Sequence, residues 1–68
     1  MSRYDYEISQ ELAAKDYPFY ALIMAAMRRA DTDNAELLRS AWPQIWYELK
    51  ERYNAPGGVI SGDPDYTD

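Results

Sequence analysis

The chain contains no cysteine and no histidine among its 68 residues. Without cysteine it can form neither a disulfide nor a thiolate metal site. Without histidine it lacks the usual zinc ligand, the usual general base near neutral pH and every Ser-His or Cys-His catalytic pair. We therefore expect no metal and no cofactor. The lack of cysteine is also compatible with a reducing cytoplasm.

Glycine is scarce as well, and all three glycines fall near the C-terminal end of the sequence, at Gly57, Gly58 and Gly62. A phosphate-binding glycine loop, which should lead into a helix, is therefore missing. A chain of this length has room for one small domain, and a few short helices rarely enclose a pocket. Carboxylates one helical turn apart are the remaining catalytic candidates, but an exposed helix surface explains them better. We predict that the protein is not an enzyme.

Basic residues are few: the chain has seven of them and twelve acidic residues, so its net charge is −5. Proteins that bind nucleic acid directly need a basic surface to meet the phosphates. The composition therefore argues against nucleic acid as a direct partner. It leaves open a partner protein with a basic surface.

The main apolar run, PFYALIMAAM at 18–27, is only ten residues long. A helix that crosses a membrane needs roughly 20 apolar residues, so a buried helix is the better interpretation. The N-terminal stretch MSRYDYEISQ carries acidic residues and no apolar segment, so we expect no signal peptide. These patterns predict a protein of the cytoplasm without a membrane partner.

Three segments have the periodicity of amphipathic helices, at 4–15, 18–30 and 34–53. The first places Tyr4, Ile8 and Leu12 on one face at steps of four. The third keeps its apolar phase through Pro43, which disfavours helical geometry at Trp42. The sequence therefore predicts an all-α fold: a small three- to four-helix bundle with a kink or break near Trp42–Pro43.

Helix caps can also be assigned from residue type. Asp16 is the predicted cap of the second helix, and Asp33 with Glu36 resembles a capping box for the third. Ser40 could cap a separate helix after the break. The predicted core comprises Ile8, Leu12, Phe19, Ile23, Met27, Leu38, Trp42, Ile45 and Leu49.

The helical pattern ends at Asn54, and the sequence divides into a bundle at 1–54 and a flexible acidic tail at 55–68. We expect this tail to be ordered at most through Val59 or Ile60, which could fold back on the bundle. The tail acids Asp63, Asp65 and Asp68 are typical of a solvated segment.

Aromatic residues are in surplus, with seven tyrosines and two tryptophans in so short a chain. Six aromatic residues fall on apolar faces, and most of them are expected in the core: Tyr4, Phe19, Tyr20, Trp42, Trp46 and Tyr53. Tyr6, Tyr17 and Tyr47 are the candidates for exposure. Tyrosines are interleaved with carboxylates in YDYE at 4–7 and WYELKE at 46–51, a pattern that suits a protein contact surface. The predicted partner-binding residues are Tyr6, Glu7, Glu11, Tyr17, Tyr47, Glu48 and Glu51.

The segments YPFYALIMAAMRRADTDN and AWPQIWYELKERYNAPGG resemble small accessory proteins encoded by tailed bacteriophages and prophages. The resemblance covers residues 4–62 and identifies no catalytic residue. It implies the cytoplasm of a bacterial host cell during infection or lysogeny. Several classes of such proteins bind and disable host machinery, including CRISPR effectors.

Two functional hypotheses follow. In the first, the chain is a small acidic inhibitor or adaptor, anti-CRISPR-like in its action, that binds and modulates a host protein. In the second, it is a structural protein that self-associates, either as a homodimer or within a phage assembly. The sequence leaves open which partner is bound, whether the acidic face or the aromatic surplus carries binding, and whether the tail orders on binding.

Overall fold

The computed structural model describes residues 1–64 and shows four α-helices and no strand in that range. Helix α1 spans Arg3–Ala14, α2 Phe19–Arg29, α3 Thr32–Ala41 and α4 Pro43–Asn54. A 3-10 turn, Pro56–Gly58, follows α4. The all-α prediction is confirmed, and the helix ends lie within two residues of the predicted ones. Residues 65–68, which include Asp65 and Asp68, lie outside the described residues.

The predicted break near Trp42–Pro43 is present as the boundary between α3 and α4. Trp42 ends α3 by donating its N–H to the carbonyl oxygen of Leu38 at 2.8 Å. It then takes φ −132° and ψ 66°, outside the helical region, as a residue before proline tends to do. Pro43 occupies the first position of α4, where its missing N–H costs no hydrogen bond. Ser40 lies inside α3, so the interpretation of Ser40 as a cap is wrong.

The start of α1 is fixed by a capping box that the sequence interpretation missed. The Asp5 N–H donates to Ser2 Oγ at 3.2 Å, and the Ser2 N–H donates to Asp5 Oδ2 at 3.0 Å. Aspartate here replaces the usual glutamate. For α2, the capping prediction is wrong: Pro18 is the N-cap and makes no side-chain bond, while Asp16 lies in the connection with a left-handed φ of 55°.

The cap of α3 is also displaced from its predicted position. Asp31, two residues before Asp33, accepts a hydrogen bond from the Asn34 N–H at 2.8 Å. Glu36 pairs instead with Arg39, one turn later, at 2.6 Å. The sequence offers two aspartates at the right distance from a helix start, and residue type alone did not decide between them.

Helices α2, α3 and α4 pack against one another, and the 3-10 turn packs against α4. We call this unit the three-helix body. No Cα atom of α1 lies within 8 Å of a Cα atom in another of the described elements. The chain measures 47 × 27 × 17 Å with a radius of gyration of 14.3 Å, whereas a compact chain of this length has about 11 Å.

The core is much smaller than predicted. Met27 of α2 is the one buried hydrophobic residue of the described range, at 6% exposure. The other predicted core residues of the body are half-buried: Ile23, Leu38, Trp42, Ile45 and Leu49, as is Trp46. Leu12 and Phe19 are exposed, so their assignment to the core is wrong. The reason is geometric, because both residues lie where α1 leaves the body.

Residues 55–63 turn back along the end of α4. Val59 and Ile60 are half-buried, as the apolar character of that pair suggested. Arg52 of α4 donates to the Gly58 carbonyl oxygen at 2.8 Å. The flexibility of the tail stays a prediction.

Candidate interaction surface

The three tyrosines predicted to be exposed are exposed: Tyr6 at 57%, Tyr17 at 49% and Tyr47 at 62%. They do not form one site. Tyr6 lies on α1 together with Glu7 and Glu11, Tyr47 lies on α4, and α1 and α4 make no contact. Tyr17 lies in the connection between α1 and α2. The predicted partner-binding residues therefore divide into two separate groups and one isolated tyrosine.

The α4 group consists of Tyr47, Glu48 and Glu51, and Glu51 lies four residues from Tyr47 and three from Glu48, within reach of both on the helix surface. Glu48 is half-buried and lies 3.8 Å from the guanidinium of Arg52, while Tyr47 and Glu51 are exposed. On α1, Glu7 accepts a hydrogen bond from Arg3 at 3.1 Å. Both pairs connect successive turns of one helix.

A cluster of three aromatic rings lies where α2 begins and α3 meets α4. The Phe19 ring centroid is 5.3 Å from that of Tyr20 and 6.2 Å from that of Trp42, both at edge-to-face angles. Phe19 is 57% exposed and Tyr20 is 53% exposed. We call these three residues the aromatic cluster. Sequence reasoning missed it because the apolar phase of α2 assigned both Phe19 and Tyr20 to the core.

A shallow hollow of about 230 Å³ connects the aromatic cluster to α4. Tyr20 and Trp42 form one side, and Pro43 and Gln44, in the first turn of α4, form another. Tyr47 lies one turn beyond Pro43 on the same helix. The α4 group therefore begins one helical turn beyond the hollow, although none of its three residues lines the hollow.

Tyr53 is a further exposed aromatic side chain of the body; it lies outside the core, as Tyr4 and Tyr20 do, although all three fall on predicted apolar faces. The guanidinium carbon of Arg28 lies 5.5 Å from the centroid of the Tyr53 ring, in the arrangement of a cation–π contact. This contact ties the end of α2 to the end of α4. It lies on a part of the body separate from the hollow, whose lining includes neither residue.

An ion pair holds residues 55–63 in place beside α4. Arg52 donates two hydrogen bonds to the carboxylate of Asp63, at 2.7 and 2.9 Å, and Asp63 also accepts from the Ile60 N–H at 3.0 Å. The hydrogen bond from Arg52 lowers the pKa of Asp63 to about 2. The same bond raises the pKa of Arg52 above its ordinary value. Both shifts favour the charged forms.

Neither a metal site nor a membrane-spanning helix is found in the described part of the chain. Residues 1–64 hold no group of three acidic side chains that could bind a metal ion. In the same range, every helix is too short or too polar to cross a membrane.

Comparison with known proteins yields no matching family model, no matching curated protein and no matching solved structure.

Proposed function

We propose that the chain acts by binding a host protein, as an inhibitor or adaptor, through the face formed by the aromatic cluster and the α4 group. One observation carries the proposal: Phe19 and Tyr20 are more than half exposed although the Phe19 ring packs edge-to-face against both Tyr20 and the half-buried Trp42. Exposed aromatic side chains held in a fixed arrangement by a half-buried neighbour lose little conformational entropy when a partner covers them.

The carboxylates of the α4 group supply the rim of this face. Glu48 and Glu51 lie beside Tyr47, and the whole chain carries a net charge of −5. A basic partner surface would be steered to such a rim, while the aromatic rings would supply most of the binding free energy. The partner that fits is therefore a protein with an apolar pocket bordered by basic side chains.

The biological setting is part of the proposal and is supported by the resemblance of two segments to bacteriophage accessory proteins. In that setting the chain works in the cytoplasm of a bacterial cell and modulates a host protein without catalysis. The absence of histidine and cysteine and the shallow shape of the hollow favour binding over chemistry.

Affinity capture from bacterial lysate, followed by binding measurements with the purified partner, tests the proposal. Tyr20→Ala and Tyr47→Ala should each weaken binding at least tenfold, since aromatic residues at the centre of an interface contribute about 2 kcal/mol or more. Tyr53→Ala is the matched control because it removes an exposed tyrosine from another part of the body. Equal losses for all three variants would overturn the assignment of the face.

A salt series distinguishes the contributions of charge and aromatic contact. The screening length falls from about 10 Å at 0.1 M to about 3 Å at 1 M ionic strength. We expect the association rate to fall with salt while most of the affinity survives. Complete loss of binding at high salt would assign the interface to the carboxylates alone.

A further inference from the structure

Within the described residues, α1 makes no close backbone contact with another helix, and Leu12 is the residue of its apolar face that lines a groove on α2. Tyr4, Ile8 and Leu12 form this face at steps of four residues. Tyr4 and Leu12 are exposed, and Ile8 is half-buried. An isolated helix of 12 residues is marginal in water, so an unpacked apolar face on it calls for a partner.

A groove of matching character runs along α2. It has a volume of about 440 Å³ and is lined by Tyr17, Ala21, Leu22, Ala25 and Ala26, with Arg29 at its end. The alanine side chains allow the axis of a second helix to approach closely, within the usual 8–10 Å. Leu12 of the same chain also lines this groove. The remaining length is open to another helix.

Charge indicates which helix fits. Helix α1 carries Asp5, Glu7 and Glu11 against the single cation Arg3, a net charge of −2. Helix α2 carries Arg28 and Arg29 and no acid, a net charge of +2. An α1 that ran antiparallel to α2 would bring Asp5 near these arginines and would also oppose the two helix dipoles favourably.

The connection between the two helices directs α1 away from its own α2. The N–H groups of Lys15 and Asp16 bond back to the carbonyl oxygens of Leu12 and Ala13, at 3.2 and 3.4 Å, and continue the course of α1. Asp16 then takes its left-handed φ, and Pro18 fixes the entry to α2. A turn-back of α1 onto its own chain would require this connection to change.

We infer that α1 of one copy occupies the α2 groove of a second copy, antiparallel to it, and that the second copy returns the same contact. In this register Ile8 lies against Ala25 and Tyr4 near Arg29, while Leu12 reaches the Ala21 end of the groove, which the Leu12 of the receiving chain also lines. A twofold exchange forms each contact twice, which is the usual arrangement of homodimers. It covers apolar surface that a chain with one buried hydrophobic residue leaves exposed.

The dimer leaves the proposed partner-binding face open. Tyr6 lies on the opposite side of α1 from Ile8, and the aromatic cluster lies outside the groove. The inference therefore goes beyond the proposed function and does not depend on it. A dimer would present two copies of the face.

Mass measurement by light scattering over a concentration series is the first test. The unaltered chain should give twice the 7.9 kDa of a single chain. Ile8→Asp should give a monomer, because it places a carboxylate in the apolar contact and touches nothing in the three-helix body. Gln10→Asp is the matched control, since it adds the same charge on the far side of α1 and should leave the dimer intact.

A second variant changes the groove itself. Ala25→Glu would place a carboxylate opposite the acidic α1, and Ala25 is exposed in the single chain, so the body should fold normally. We expect a folded monomer. A concentration-independent monomer for the unaltered chain, or a dimer that survives both Ile8→Asp and Ala25→Glu, would overturn the inference.

Disulfide trapping then identifies the occupant of the groove. The chain has no native cysteine, so a chain with Ile8→Cys can be mixed with a chain with Ala25→Cys, and any disulfide joins two molecules. The mixed disulfide should form faster than in a Gln10→Cys and Ala25→Cys mixture. Equal rates would exclude this register. A monomer in which Ile8→Cys and Ala25→Cys on one chain form an internal disulfide would show instead that α1 closes on its own α2.

Discussion

Helices α1 and α4 are each 12 residues long, and each has an apolar face, but only α4 is packed. Helix α4 contacts α2, α3 and the 3-10 turn. Within the described residues, helix α1 makes no close backbone contact with another helix and is stabilised mainly by a capping box at its start and the Arg3–Glu7 pair on its surface. The difference shows that an amphipathic pattern determines which face of a helix is apolar, while the chain connections determine what that face meets.

The largest difference between the three-helix body and α1 is expected when a charged side chain is placed in the core of the body. Met27→Asp would bury a carboxylate without a partner, at a cost of several kcal/mol, and a core of this size supplies only about 3–5 kcal/mol. We expect circular dichroism to show loss of most helical signal. Ile8→Asp, on α1, should reduce the helical signal by no more than the part that the 12 residues of that helix contribute. Equal losses would mean that α1 and the body fold as one unit.

The cap of α1 should matter more than its modest energy suggests. Ser2→Ala removes the acceptor for the Asp5 N–H, a change worth about 1 kcal/mol. In the Ile8→Asp background, where no second copy supports α1, this should raise amide exchange throughout α1 and leave α4 unchanged. Ser40→Ala is the control, because Ser40 lies inside α3 and caps nothing. Faster exchange in α4 would contradict the separation of the two helices.

The contact that secures the end of α4 can be removed separately. Arg52→Ala deletes the hydrogen bonds to Gly58 and Asp63. We expect the Ile60 amide, which donates to Asp63, to lose its protection from exchange while the helices keep theirs. Arg39→Ala, which removes the exposed pair with Glu36 in α3, should leave Ile60 protected. Unchanged protection after Arg52→Ala would mean that Val59 and Ile60 hold the segment by themselves.

The smallest expected effect is one of pH. The pKa of Asp63 is about 2 in the folded chain, below its ordinary 3.8, so folding favours the ionised carboxylate. The stabilisation is therefore fully present above pH 3.8 and is lost as the pH falls towards 2. A carboxyl carbon titration should show the low midpoint. Arg52→Ala should return that midpoint towards 3.8, and Arg39→Ala should not move it.

The helices of this protein could be predicted from the sequence, because apolar residues three and four positions apart mark one side of each of them. The break at Trp42–Pro43 could be predicted as well, since proline restricts both its own backbone and that of the residue before it. The cap at Asp33 was wrong because Asp31 also precedes α3 and takes that role. The cap at Asp16 was wrong because α2 begins after Pro18 without a side-chain cap.

The aromatic cluster and the groove could not be predicted in the same way. Phe19 has the phase of a core residue, but it begins α2 and has no helix opposite it, so the pattern overstates its burial. The groove depends on the direction in which α1 leaves the body, which Asp16 and Pro18 set through backbone angles. One signal was available: nine tyrosine and tryptophan side chains in a chain of 68 residues exceed what a small bundle can cover.

Both tryptophans of the chain, Trp42 and Trp46, belong to the three-helix body, and α1 carries none. Their fluorescence therefore reports on the body and does not respond to α1. The far-ultraviolet circular dichroism signal, by contrast, sums over every helix. On heating, the two optical signals of an isolated chain should diverge as α1 unwinds first. In a chain whose α1 is held by a second copy, the emission and helical signals should change together, so the two tryptophans distinguish a loose α1 from a held one without any added label.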